Sequence, residues 1–375
     1  MAESGDGHSA TKPRSQSDAV PSARDWGYAT PAYGALDLGT NNCRLLIARP
    51  SRRGFLVVDA FSRIIRLGEG LGATGRLSDV AMDRTVDALR VCASKIARSG
   101  VARYRLVATE ACRIAANGQQ FLERVRKDTG LDIEILSREN EARLAVSGCA
   151  ALLDRRSDLV LVFDIGGGSS ELVWLDLARC AEPPGRGVPD RIDVQNAIAA
   201  WTSLSVGVVT LAEQFGGRHV TRDDFEAMVA HVLGLLAPFE EKYRFRDRLS
   251  KERSHLLGTS GTVTTVAGIH LGLKRYDRSR VDGYWMQTRE ARDVTESLLD
   301  RTYEERIAEP CIGRDRADLV LAGCAILEAI LRLWPCETLR VADRGLREGI
   351  LASLMAEDGV YRANRRRQHQ PGGQR

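Results

Sequence analysis

Apolar and polar positions change period repeatedly along this chain. Residues 78–98 (SDVAMDRTVDALRVCASKIAR) place apolar residues at helical spacing behind a Ser suited to an N-cap. Arg103–Ala111 (RYRLVATEA) and Asp132–Leu136 (DIEIL) read as strands. Glu139–Leu153 (ENEARLAVSGCAALL) reads as a helix with acids in its first turn, where the helix dipole favours them. Phe225–Tyr243 is helical. Ser254–His270 (SHLLGTSGTVTTVAGIH) reads as a strand, a Gly/Ser/Thr turn and a helix start, and such a turn can offer backbone N–H groups to an anion. Asp315–Trp334 predicts one long apolar core helix, and Thr338–Met355 a strand, a turn and a closing helix. Earlier in the chain, Ala178–Ala200 holds EPPGRGVPD, an extended loop that reads as an insertion. The alternation predicts an α/β protein, and 375 residues exceed one comfortable core, so two lobes are expected.

Two stretches share a further pattern. Val162–Trp174 (VFDIGGGSSELVW) and Tyr33–Pro50 (YGALDLGTNNCRLLIARP) each run apolar, Asp, apolar, Gly, polar, then apolar again. Asp37 matches Asp164, and Gly39 matches Gly166. The spacing is too long for a solenoid repeat and suits a duplicated domain whose copies each open with a β-hairpin. Glycines let such a turn approach a ligand closely, and successive N–H groups then form an anion nest. Thr40, Asn41, Ser169 and Ser170 add side-chain donors. An Asp at each strand end repels phosphate unless a cation lies between, most simply Mg²⁺ held through carboxylates and water.

Composition narrows the partners. Apolar residues make up 43% and charged residues 28%, ordinary for a globular protein. No apolar run reaches membrane-spanning length. Residues 1–31 lack a signal-peptide core and read as a disordered tail. The formal charge of +4 comes from the end of the chain: residues 362–375 carry five arginines and no acid. A near-neutral body with a basic disordered tail (359–375) argues against a nucleic-acid-binding domain. The eight cysteines show no CxxC spacing and the six histidines no paired spacing, so a reducing cytoplasm fits and metal chemistry must use oxygen ligands.

The chain resembles the exopolyphosphatase and guanosine pentaphosphate phosphohydrolase family of the actin-like ATPase superfamily, which includes acetate kinases and sugar kinases. The resemblance lies in ALDLGTNNCRLLIA, RIIRLGEGL, ATEACRIAANG, ILSRENEARLAVSG, VFDIGGGSSELVW, GTSGTVTTVAG and LRVADRGLREGIL, in the family's order across about residues 34–356. It implies two ribonuclease H-like lobes with the active site between them. Lobe I would cover 32–138 plus 345–358 and lobe II 139–344, the short form of the family without an appended helical domain. It also implies a cytoplasmic homodimer.

The resemblance assigns roles by motif. Glu141 matches the proposed catalytic base, and Asp164 and Glu171 match acids linked to Mg²⁺, with Asp37 as their counterpart. Arg66 and Arg113 look like phosphate-binding arginines. Gly39, Thr40, Asn41, Gly167, Gly168, Ser169, Gly261 and Thr262 would supply the phosphate cradle. Two positions depart from the family pattern: Asn42 stands where a hydroxyl is common, and Val209 where an Arg often lies. The activity implied is hydrolysis of a terminal phosphoanhydride of inorganic polyphosphate or guanosine pentaphosphate. The alternatives are a phosphotransferase of the same superfamily, or a non-catalytic polyphosphate or alarmone sensor.

Overall fold

Each acid-glycine stretch forms a hairpin, and each hairpin opens a sheet. In this computed structural model, β1 (Ala32–Leu38) pairs antiparallel with β2 (Asn42–Ser51), and β6 (Leu159–Ile165) with β7 (Ser170–Asp176). The structure describes residues 30–51, 54–180 and 193–360. The tail up to residue 29, the Pro/Gly-rich loop at 181–192 and the Arg-rich end from 361 lie outside the described residues.

Among the described residues the strands make two sheets. The first adds β3 (Gly54–Ile64), β4 (Val101–Ala108) and β5 (Glu134–Ile135) in the order β3-β2-β1-β4-β5. The second adds β8 (Ile198–Leu204), β9 (Ser254–Thr259), β10 (Trp285–Gln287) and β11 (Thr338–Ala342) in the order β10-β11-β9-β6-β7-β8. Removing β10 makes the two orders superpose, with the hairpin antiparallel and the next strand parallel in both. The duplication expected from the two Asp-Gly stretches therefore extends to whole sheets.

Helices cover both faces at the centre of each sheet, which explains why β1, β6 and β7 are apolar almost without alternation, while the edge strand β3 is largely exposed. The first sheet carries α1 (Leu71–Thr74), α2 (Asp79–Arg98), α3 (Glu110–Ile114) and α4 (Gly118–Thr129) in its segment of chain. Ser78 caps α2 as expected, its Oγ accepting from Ala81 N at 3.3 Å. Leu36, Leu38, Leu45 and Ile47 face Val86, Leu89 and Phe121. Helices α5 (Arg138–Cys149), α6 (Val208–Phe215), α7 (Arg222–Tyr243), α8 (Phe245–Leu249), α9 (Ser260–His270), α10 (Arg278–Val281), α11 (Thr288–Leu299), α12 (Tyr303–Ala308) and α13 (Val320–Leu333) follow. Leu161 and Phe163 of β6 face the α7, α9 and α13 side, while Val160 and Val162 face α5. The closing helix α14 (Leu346–Glu357) returns to the first sheet, where Ile350, Leu351 and Met355 pack on Tyr33, Ala35 and Leu46. No helix of the described residues is long and apolar enough to cross a membrane.

Several expected elements are shorter than the sequence suggests, among them the strand at Asp132–Leu136, which keeps only Glu134–Ile135, and the helix at Glu139–Leu153, which ends at Cys149. The strand read over Arg103–Ala111 ends at Ala108, because Thr109 N turns to donate to Leu38 O at 3.1 Å and α3 begins. The helix read over Asp315–Trp334 starts only at Val320. Its first residues instead turn toward the gap between lobes, with Arg316 donating to Thr265 Oγ1 and Cys311 O, each at 3.2 Å.

Candidate active site

The two hairpin turns are closed by the same hydrogen bond. Gly39 N donates to Asn42 O and Gly166 N to Ser169 O, both at 2.9 Å. They also abut one another. A Cβ on Gly167 would lie 3.1 Å from Asn41 N, and one on Gly168 would lie 2.6 Å from Thr40 Oγ1. Side chains at these glycines would push the lobes apart, so their absence is what allows the turns to meet.

Around this meeting point lies a cleft of about 600 Å³. Its walls include Asp37, Gly39, Thr40, Asn41, Glu141, Asp164, Gly167, Gly168, Ser169, Glu171, Gly261 and Thr262. Gly261 and Thr262 open α9 directly after Ser260, a non-glycine residue at φ 88 whose buried Oγ has no partner. Such a backbone is strained for a residue with a side chain.

The acids in the cleft are crowded together, Glu171 buried and Asp37, Glu141 and Asp164 half-buried. Asp164 and Glu171 stand opposite each other in the β6–β7 register. Burial, and then Asp37, push Asp164 up to about 6. Burial, and then Asp164, push Glu171 up to about 7, although Ser203 Oγ donates to its Oε1 at 2.9 Å. Burial also raises Asp37. Glu141 sits in the first turn of α5, positioned by the Ser137 N-cap. Burial and the charge of Glu171 push its carboxyl well above the usual range, against the pull of Arg113. Arg113 Nη2 donates to Glu141 Oε2 at 3.0 Å, and Oε1 has no partner among the described residues. No three His, Cys, Asp or Glu side chains among the described residues gather closely enough to hold a metal by themselves.

Two arginines stand off the cleft lining. Arg66, at φ 45, grips Asp318 with both ends of its guanidinium at 2.9 and 3.0 Å and reaches Asp315 O at 3.2 Å. It borders a separate hollow of about 260 Å³. With the bond from Gly70 N to Glu213 Oε1 at 2.8 Å, it ties the two halves together beside the turns. Arg113 is taken up by Glu110, Glu141 and Leu136 O. The guanidiniums on the cleft wall are instead those of Arg44, Arg63 and Arg316. Arg44 had a sequence signal, since it follows Asp37 as Glu171 follows Asp164. Arg63, at the end of β3, and Arg316, in a stretch read as core helix, had none. Asn42 lines the cleft, while Val209 meets the second turn through its backbone, donating to Gly167 O at 2.8 Å.

With that geometry in place, residues 46–358 match the sequence profile of the Ppx/GppA phosphatase family. The chain belongs to this family. It is 29% identical over 329 residues to the guanosine-5'-triphosphate,3'-diphosphate pyrophosphatase of Photobacterium profundum. That match takes in 88% of this chain, which spans 60% of the length of that relative. A solved exopolyphosphatase-like protein is 27% identical, with a TM-score of 0.77 over 87% of this chain and 98% of that one. The Aquifex aeolicus member of the Ppx/GppA family is 28% identical, with a TM-score of 0.68 over 88% and 99%. The paired sheets and interlobe cleft are thus the two-lobed, actin-like fold of this Ppx/GppA chain.

Proposed function

We propose that the chain is a hydrolase that releases terminal phosphate from inorganic polyphosphate, guanosine pentaphosphate or both. The observation that carries this reading is the Glu141 carboxylate, half-buried on the wall of the cleft where the two bare turns meet, with one oxygen held by Arg113 and the other left for water. A carboxylate made more basic by burial is suited to take a proton from water near neutral pH. The turns at Gly39–Asn41 and Gly167–Ser169 orient the terminal phosphate, and Arg44, Arg63 and Arg316 offset its charge. Positioning and charge stabilisation supply most of the acceleration in phosphoryl transfer.

Magnesium fits the donor set. It is usually held by one or two carboxylates together with water and substrate phosphates, and not by an all-protein cage. Asp37 and Asp164 are half-buried carboxylates that make no hydrogen bond or salt bridge to another described residue. One or two of Asp37, Asp164 and Glu171, with water and the substrate phosphates, would hold the ion, which would neutralise charge on the terminal phosphates. Of the two substrates, the inorganic chain is favoured, because the described lining offers three guanidiniums and no aromatic face for a base. The family resemblance alone supports a cytoplasmic homodimer.

The test is phosphate release from long polyphosphate, short polyphosphate and guanosine pentaphosphate side by side, with and without Mg²⁺ and with no acceptor. Release that depends on Mg²⁺, fastest on a polyphosphate, supports the reading. Turnover only when an acceptor is added would replace it with a phosphotransferase. Tight binding without turnover would replace it with a sensor.

A further inference from the structure

Beside the cleft, and outside every role given above, sits a carboxylate with 1% exposure. Glu110 opens α3 and accepts four N–H donors from two guanidiniums. Arg113 Nε and Nη2 reach its Oε2 at 2.9 and 2.7 Å. Arg138 Nε reaches Oε2 at 3.2 Å, and Arg138 Nη2 reaches Oε1 at 2.6 Å.

Each arginine also holds something else. Arg113 pins Glu141 Oε2 at 3.0 Å and bonds Leu136 O. Arg138 donates to Ser205 Oγ at 2.9 Å. Ser205 begins the stretch that braces the second bare turn: Val206 O accepts from Ser170 Oγ at 2.8 Å, and Val208 N and Val209 N donate to Gly166 O and Gly167 O at 2.9 and 2.8 Å. A Cβ on Gly168 would lie 3.3 Å from Glu110 Cγ, so the carboxylate is tucked directly behind that turn.

A buried ion pair adds little to stability on average, and an apolar side chain of similar volume often serves as well. Burial therefore does not account for this arrangement. Glu110 takes Nε and one N–H of Nη2, and Leu136 O is bonded by Nη1, so it is the second N–H of Nη2 that reaches Glu141. Without that restraint the Arg113 fork is free to grip both oxygens of Glu141 or to swing to a substrate phosphate.

We propose that Glu110 is a positioning residue for the hydrolytic step: it fixes Arg113 so that only Oε2 of Glu141 is pinned and Oε1 stays available to water, and through Arg138 and Ser205 it keeps that pair in register with the second phosphate turn. The inference rests on the reading of Glu141 as the base.

The experiment is a double-mutant cycle of Glu110→Gln and Glu141→Gln, with kcat and KM measured on polyphosphate with Mg²⁺ and thermal unfolding recorded for each variant. Glu110→Gln alone should lower kcat about tenfold to a hundredfold, with KM moved less than about threefold. In the Glu141→Gln background, Glu110→Gln should leave the residual rate unchanged. Glu110→Asp, which keeps the charge on a shorter arm, should recover part of kcat and serves as the second variant if the Gln protein folds poorly. An unimpaired Glu110→Gln enzyme, or one whose loss multiplies that of Glu141→Gln, overturns the inference while leaving Glu141 as the base. A loss that raises KM as much as it lowers kcat, follows a fall in Tm and is not relieved by Asp makes the residue merely structural and also overturns it. A fully active Glu141→Gln enzyme removes the reading of Glu141, and this one with it.

Discussion

Arg44 occupies in the first hairpin the position that Glu171 occupies in the second. Asp37 pairs with Arg44 across β1–β2, and Asp164 pairs with Glu171 across β6–β7. The duplicated frame thus presents two acids from one lobe and an acid with a cation from the other. Arg44 lowers the proton affinity of both Asp37 and Asp164 and lies on the cleft wall without a salt bridge to a described residue. Arg44→Ala is expected to raise KM for polyphosphate about tenfold to a hundredfold, the range for losing one charge-assisted contact. Steady-state kinetics check this. An unchanged KM would mean that the guanidinium serves the acids alone.

The Arg66–Asp318 fork makes a different prediction. Its partners lie 252 residues apart in sequence, one in each half of the chain. Asp318→Asn should therefore reproduce the kinetic effect of Arg66→Ala, because either change opens the same tie. If Arg66 instead contacts phosphate directly, Arg66→Ala raises KM and Asp318→Asn does not. Comparing the two variants on one substrate decides between these outcomes.

The crowded acids give stability a defined pH dependence. Asp164 is pushed up to about 6 and Glu171 to about 7 in the folded protein, above their ordinary values of 3.8 and 4.5. Between those limits the folded state binds more protons than the unfolded one. Stability from these groups is therefore full at the acid end and is lost as pH rises through the window. In chelator, Tm should fall between about pH 4 and about pH 7, and added Mg²⁺ should raise Tm more at the upper end. A Tm that rises across this range in chelator, with no larger Mg²⁺ effect at high pH, contradicts the electrostatic account.

Helices α5 and α14 cross where only glycine fits. A Cβ on Gly148 would lie 1.9 Å from Gly345 O, and one on Gly349 would lie 2.0 Å from Leu144 O. Gly349→Ala should cost about 1–3 kcal/mol of stability, the usual penalty for overpacking. Because α5 carries Glu141, kcat should fall as well. Denaturant unfolding and an activity assay on the same preparation test both effects.

What the sequence revealed and what it hid have physical causes. The hairpins were legible because an apolar strand, an acid and, two residues on, a glycine opening a polar turn is a local pattern, repeated once. Helix α2 was legible from its period and its Ser78 cap. The partners of Arg66 were not, because Asp315 and Asp318 lie 249 and 252 residues away, nor was the reach of Arg113 to Glu141 28 residues on, because tertiary packing sets both. The late start of α13 was hidden for the same reason: Arg316 and Asp318 are drawn to Thr265 and Arg66, and that pull outweighs an apolar stretch that reads as helix. Glu110 looked like one more residue of a strand because nothing local shows that Arg138 folds back onto it. Arg44 alone among the missed cations could have been found, by carrying the comparison of the two hairpins seven residues past each Asp.

The central claim is that two bare turns and the Glu141 carboxylate form one hydrolytic cleft. The most direct measurement is inorganic phosphate released from long-chain polyphosphate with Mg²⁺ and no acceptor, by the wild type and by Glu141→Gln. The account predicts steady release by the wild type and, in the variant, a kcat lower by about 10²–10⁴-fold, the range for a lost general base, with KM near that of the wild type. Equal rates from the two proteins would contradict it.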